Sequence, residues 1–511
     1  MERKSSILVV LGYLYIVIPN LIFFIGWCNT PTAIITTIAI LISSYFLVKN
    51  APKIWVPNTK KEWYLIGAIL LISIIWVLLS GIGGYMYQNG DHHVRNGLFE
   101  FLVSKKWPII SDNHYSILTY YIGFWLPSAI FAKFFKCLEL GYFLQFIWAV
   151  VGVFLFFYLL TAQFKQKRLY PILIFIFFSG LDILGFLFFS KLNIPYSPTT
   201  HLEWWGDHQF SSMTTQLFWV FNQTIPCWIL IPMILNEKNN KNMLFLYVCL
   251  FINSTLPAIG FFPFLLWYIL KNGDYTQKEV LSFSHIKKSV IDIFSVQNIL
   301  ALFILFPVLY AYLSANYMAQ LVHVGEYSFW STIEDTIPLI VILKFLLIEV
   351  FMFLLCLFPF EKKNILYWVC ILIFFACPFV RISDGANFEM RATIPALVFL
   401  YIFIIDDIQN GNIFKHKVIA IVLFTSLLIG AVTPFNEFSR TILNTDFSSL
   451  QIYSESDLDD SQTHTSFYAP IKSFVYDKEN KFNTYFVYNE DKFCKYFAKN
   501  NCLRGIPNNG K

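Results

Sequence analysis

Charge is scarce in this chain. Asp, Glu, Lys and Arg supply 14% of its 511 residues, where soluble domains carry about 25%. That scarcity excludes an ordinary soluble enzyme. The alternation of apolar and polar residues that lipid-facing strands require is also missing, which excludes a transmembrane β-barrel. No CxxC pair and no Cys/His spacing of the zinc type occurs, so no structural zinc module is expected. No regular repeat or low-complexity tract is visible. The net charge of +5 comes from basic residues scattered at segment ends, which leaves no basic face for nucleic acid.

What the chain has is apolar and aromatic mass. Hydrophobic residues make up 57% and aromatics 19%, and mean hydropathy is +0.58. Continuous apolar runs of roughly 17–25 residues, the length that crosses a bilayer, recur along it. Only helices satisfy their own backbone in lipid, so the fold class is all-α and polytopic. About 13 spans fit the runs. The first follows Arg3-Lys4 without a small-residue cleavage pattern and reads as a retained anchor. Seven of nine cysteines fall in or beside apolar runs and read as buried thiols. Cys494 and Cys502 lie in the polar tail, where a disulfide between them is an open expectation.

Lys and Arg collect in cytoplasmic loops, and this orients the spans. Arg3-Lys4, the loop at 49–61 with four lysines, "KQKR" at 165–168, "EKK" at 361–363 and "KHK" at 415–417 belong inside. If 114–135 were a full span, "KQKR" would fall outside. That stretch is therefore read as an interfacial or re-entrant element. The run 170–189 reads as one span. The run 243–270, interrupted by Pro257, Gly260 and Pro263, reads as two short segments, out and back. Three regions follow: an N-terminal pair of spans at 1–63, a transmembrane core at 64–434 and a small extracytoplasmic tail at 435–511.

Under this threading seven of nine histidines lie in outer loops, with most of the acids. Asp91 comes within about five residues of the third span, after Gly90, and is expected in a tight exposed turn. A carboxylate fixed there can take a proton from a hydroxyl nucleophile, or bind a divalent metal that does so; the competing reading is a solvated loop acid. His92, His93, Arg95 and His114 share this region and are candidates for substrate contact. Arg381 and Arg391 flank a short loop between two spans. Paired guanidinium groups suit a phosphate through bidentate bonds, although arginines also anchor helix ends at headgroups. In "HLEWWGDHQFSS", His201, Glu203, Trp204, Trp205 and Gln209 combine aromatic faces for a sugar with polar groups for its hydroxyls; an interfacial aromatic belt competes. Asn222 and Gln223 sit inside a span and face protein. Asp182, Lys344 and Glu349 are the few ionisable residues inside spans, and so the few that a transport path could use.

The order of these features resembles the GT-C class of integral membrane glycosyltransferases. "YMYQNGDHHVRNGLFEFLVSKKWPI" followed by "LTYYIGFWLPSAIFAKFF" matches its layout of an acid just past a span, then interfacial helices. The stretches "FFSGLDILG", "HLEWWGDHQFSSMTTQLFWVFNQTIPCW" and "NFEMRATIPAL" look like those of bacterial multi-pass membrane proteins of this type. The likeness covers about residues 64–405 in layout. Two extra leading spans and a small tail depart from the class. It implies a GT-C-like helical bundle of roughly 11–13 spans with Asp91 as catalytic acid. It further implies a polyprenyl-phosphate-sugar donor and a glycan, lipid or protein acceptor. The site would face outward from a bacterial inner membrane, in cell-envelope polysaccharide biosynthesis. A polysaccharide polymerase or lipid-linked glycan transporter is the alternative.

Overall fold

The computed structural model describes residues 7–109, 116–190, 195–271, 283–316, 339–380, 386–449, 452, 468–470, 473–476, 484–487 and 492–499. It is an all-α polytopic membrane protein. Among the described residues, eight helices are long and apolar enough to cross a membrane.

Helices α1 (Ile7–Trp27) and α2 (Thr30–Lys49) are joined by a turn in which the Asn29 side chain caps Thr32 N–H. Helix α3 (Lys60–Leu79) opens with a capping box between Thr59 and Glu62. The apolar windows of α2 and α3 are only 28% and 22% buried. Their Ile, Leu and Tyr side chains stay exposed, as lipid-facing residues do. The opposite case is α9 (Met213–Asn236), 94% buried, which forms the centre of the bundle. It packs on α6 (Leu138–Gln163), with Phe156 stacked on Trp228, and on α3 and the 170–176 helix. Trp76, Phe156 and Phe175 all lie against Trp228, with ring centroids 5.0–5.6 Å away.

Between these helices the chain breaks repeatedly. After α3, Gly81, Gly83 and Gly84 take φ of +81°, +86° and +81°, left-handed backbone that glycine alone adopts freely. The turn delivers the chain to α4 (Gly90–Ser104), capped by Asn89. Asp91 thus stands in the first helical turn rather than in a loop. Residues 116–118 pair antiparallel with 468–470. Helix α5 (Leu126–Phe135) follows; ten residues extend about 15 Å, half of the roughly 30 Å hydrocarbon layer. It cannot span.

The run 170–189, expected as one span, is two pieces, α7 (Tyr170–Ile176) and α8 (Asp182–Phe189). The break is tertiary in origin. Leu181 N–H donates to the Ile348 carbonyl, and the Phe178 carbonyl accepts from Met213 N–H. Gly180 packs against Glu349 with no room for a Cβ. Helices α10 (Met243–Leu250) and α11 (Thr255–Lys271) form a hairpin. Asn240 Nδ2 donates to the Ile269 carbonyl at 2.7 Å, so the open ends of the hairpin meet.

The last long helix, 417–444, runs ten residues past 434. Its second half turns Thr433, Asn436, Glu437 and Thr441 inward. A tail segment, 492–499, closes on the α1–α2 turn. Asn29 N–H donates to the Phe497 carbonyl at 2.7 Å, and Phe493 packs on Phe23 and Tyr312. Cys494 is buried there; Cys502 lies outside the described residues.

Candidate functional site

The start of α4 is fastened to a defect in α9. Val220 leaves helical geometry (φ −134°, ψ 32°). Two residues earlier, the Phe218 carbonyl accepts Asn89 Nδ2 at 2.9 Å and lies 3.0 Å from His92 Nε2. His92 is buried and stacks on Phe221. Burial pushes its pKa down to about 3, with nearby Arg95 acting in the same direction. It is a neutral hydrogen-bond donor, not a cation. His93 faces outward on α4.

Asp91 keeps 44% of its side chain exposed, and its Oδ2 accepts from Arg95 Nη2 at 2.9 Å. Arg95 is nearly buried, lies over the Phe221 ring at 5.4 Å, and leaves Nη1 without an acceptor. Arg391, on the short helix Asn387–Ala392, has the same character. Its Nη1 bonds the Asn387 carbonyl and Oδ1 at 3.0 and 2.6 Å, while its Nε is buried without an acceptor. Tyr120 joins the two. Burial, and then Tyr121, raise its phenol above the ordinary value, and both Arg391 and Arg95 lie near enough to oppose that rise. Its ring sits 3.7 Å from Tyr121 and 6.3 Å from Trp125, which in turn meets Phe221 at 6.2 Å. Two guanidinium groups, each with an N–H that has no acceptor, therefore lie within electrostatic range of Tyr120, and Arg95 among them holds the accessible Asp91 carboxylate.

A second polar group is organised by the loop 201–212. Glu203 is buried and accepts from Gln209 Nε2 at 2.6 Å and Ser212 N–H at 2.8 Å. Burial, reinforced by Asp182, pushes its pKa up to about 7. His201 Nδ1 lies 2.7 Å from Glu437 Oε1. Glu437 also accepts from Trp219 Nε1 at 3.0 Å and from Arg440. His208 Nδ1 lies 2.9 Å from Glu389 Oε2, and Gln209 N–H holds the other oxygen at 2.9 Å. The His208 Nε2 is buried without a partner. Trp205 is buried and its Nε1 reaches Glu349 at 3.4 Å. Trp204 is 51% exposed and stands beside His201 and Trp219, with centroids at 4.6 and 5.5 Å.

The expected residues thus divide. Asp91, His92 and Arg95 lie on α4, and Arg391, on the helix Asn387–Ala392, lies with Arg95 within electrostatic range of Tyr120. His201, Glu203, Trp205 and Gln209 belong to the loop 201–212 cluster. His93 and Trp204 face outward. His114 and Arg381 lie outside the described residues. The cluster is completed by groups not selected as site residues: Asp182, His208, Glu349, Glu389 and Glu437. A signal existed for Asp182 and Glu349, acids inside apolar runs. None existed for Glu437, which reads as part of a polar tail. Among the described residues, no group of three or more His, Cys, Asp or Glu is placed to hold a metal ion.

No family model, curated protein or solved structure matches the chain.

Proposed function

We propose that the protein is a membrane glycosyltransferase of the GT-C type. It moves a sugar from a polyprenyl-phosphate-linked donor to a cell-envelope glycan, lipid or protein acceptor at the outer face of a bacterial inner membrane. The observation that carries this reading is that Arg95 and Arg391, each with a buried N–H that has no acceptor, both lie within electrostatic range of Tyr120. A buried cation with unused donors is costly unless an anion completes it. A guanidinium fork matches a phosphate. The exposed apolar faces of α2 and α3 suit a lipid chain lying alongside.

In this reading Asp91 takes the acceptor hydroxyl proton. The acceptor oxygen attacks the sugar anomeric carbon, and the bond from that carbon to the phosphate oxygen breaks. The electron pair leaves with the lipid phosphate, which the arginines stabilise. The Arg95 contact orients the Asp91 carboxylate toward the phosphate side. The test is transfer of a radiolabelled polyprenyl-phosphate hexose to envelope lipids in reconstituted vesicles. Asp91→Asn should lose transfer while keeping its fold; wild-type turnover would remove Asp91 as the base.

One observation favours the alternative, a lipid-linked glycan transporter. Asp182, Glu203 and Glu349 form a buried acidic group, the kind of intramembrane feature that ion-coupled transport uses. A transporter would move a lipid-linked glycan across vesicles with Asp91→Asn unaffected.

A further inference from the structure

We propose that Asp182 and Glu349 hold one exchangeable proton between them, and that Glu203 is the neighbouring acid through which it exchanges. This goes beyond glycosyl transfer and uses none of Asp91, Arg95 or Arg391.

The site is made by two helix defects set face to face. Asp182 is the first residue of α8, directly after the break at 177–181. Glu349 is the central residue of a π-helical turn, Leu347–Phe351. Gly180 lets them meet, because a side chain there would strike Glu349. Asp182 Oδ2 accepts from Ser179 Oγ at 2.8 Å and Thr433 Oγ1 at 3.0 Å. Glu349 Oε1 accepts from Trp205 Nε1. Glu349 Oε2 is buried without a donor, and the Asp182 carboxyl lies within hydrogen-bonding reach of the Glu349 carboxyl.

Two carboxylates in contact cannot both stay ionised in a buried site. A proton between them is the donor that the bare Oε2 lacks. The surrounding charges do not remove the need. On the 432–444 helix, Arg440 is bonded to Glu437, which also takes His201. On the helix of Glu349, Lys344 sits over the Phe189 ring at 5.4 Å. From the loop comes a further acid, Glu203, with His201 4.0 Å away. Among the described residues, no cation is paired with Asp182 or Glu349. Glu203 lies on a loop that also carries the exposed Trp204 and Asp207, the side on which the proposed exchange would reach solvent.

Infrared difference spectroscopy of the full chain in lipid nanodiscs tests this. At neutral pH, in N-methylglucamine chloride, the wild type should show, beyond the partial contribution of Glu203, the stretching band of one further protonated carboxyl group per chain that shifts in D₂O. The isosteric double variant Asp182→Asn/Glu349→Gln needs no proton and should lose it. Glu349→Gln alone serves if the double variant does not fold, with the same expected loss. Glu203→Gln should keep the band but slow its exchange in D₂O. An unchanged band in the Glu349→Gln protein overturns the proposal. So does loss of the wild-type band when sodium replaces N-methylglucamine at constant pH, since the site would then take a metal cation.

Discussion

Two polar regions of this molecule handle charge in opposite ways. Around α4 the acid is accessible and the cations are buried: Asp91 stands at the rim, and Arg95 and Arg391 keep N–H groups in reserve. Around the loop 201–212 the acids are buried. Asp182, Glu203, Glu349, Glu389 and Glu437 are each at most 3% exposed, and their described cation is Arg440, with His201 and His208 as titratable partners. The first arrangement is short of an anion, the second is short of positive charge. On the proposed function, a phosphate would satisfy the first. Protons satisfy the second. The contrast teaches that one bundle of broken helices can leave buried cations in one region and buried acids in another.

The contrast breaks most sharply at Glu437. Replacing it with Ala leaves His201, Trp219 Nε1 and Arg440 without their acceptor. Removing one partner of a buried pair costs roughly 3–5 kcal/mol. Melting of the purified protein should drop by several degrees or more; an unchanged melt would mean that the cluster contributes no stability.

Next comes pH. Glu203 has a folded-state pKa raised from 4.5 to about 7, so its protonated form is favoured by folding. That contribution is full below about 4.5 and disappears as pH rises through about 7. At about 1.4 kcal/mol per unit, it is on the order of 3 kcal/mol. Thermal melts should weaken from pH 5 to pH 8, and Glu203→Gln should flatten the slope. An equal slope in both proteins contradicts the assignment.

Of comparable size is Asp91→Asn, which should slow transfer on the order of 10²-fold. Because Asp91 is half exposed while its partner Arg95 is nearly buried, the melt should report a loss of about 1 kcal/mol, well short of the Glu437→Ala loss. A large melting change would move Asp91 into the structural class of the loop 201–212 acids. Smallest is Trp204→Ala. An exposed side chain away from the core shifts stability within about 0.5 kcal/mol. Its effect should appear as a higher apparent requirement for the sugar-bearing substrate, read from the transfer rate against substrate concentration.

The legible part of the fold was the part set by local composition. Apolar run length placed α1, α2, α3, α6 and α9; the run 243–270 is two segments as expected, but the break falls at 251–254, and Pro257, Gly260 and Pro263, read as the interruption, all lie inside α11. Asp91, Arg95 and Arg391 stood out because charge is rare here. The break at 177–181 was not legible. The run 170–189 is apolar throughout apart from Ser179 and Asp182, and it is the docking of Glu349 on Gly180 that interrupts it. Glu437 was hidden for a related reason. It lies beyond the last apolar run, in polar sequence, and only the continuation of the helix to Asn444 brings it to His201. His208 looked like any loop histidine until Glu389 closed on its Nδ1.

The central claim is that Arg95 and Arg391 await a lipid phosphate. The direct test is binding of a polyprenyl phosphate to the detergent-purified chain, followed by native mass spectrometry. The wild type should bind it. Arg391→Ala should bind on the order of tenfold more weakly or worse, the scale of a lost charge-assisted hydrogen bond. Asp182→Asn/Glu349→Gln should bind as the wild type does. Equal binding by the wild type and Arg391→Ala would contradict the account.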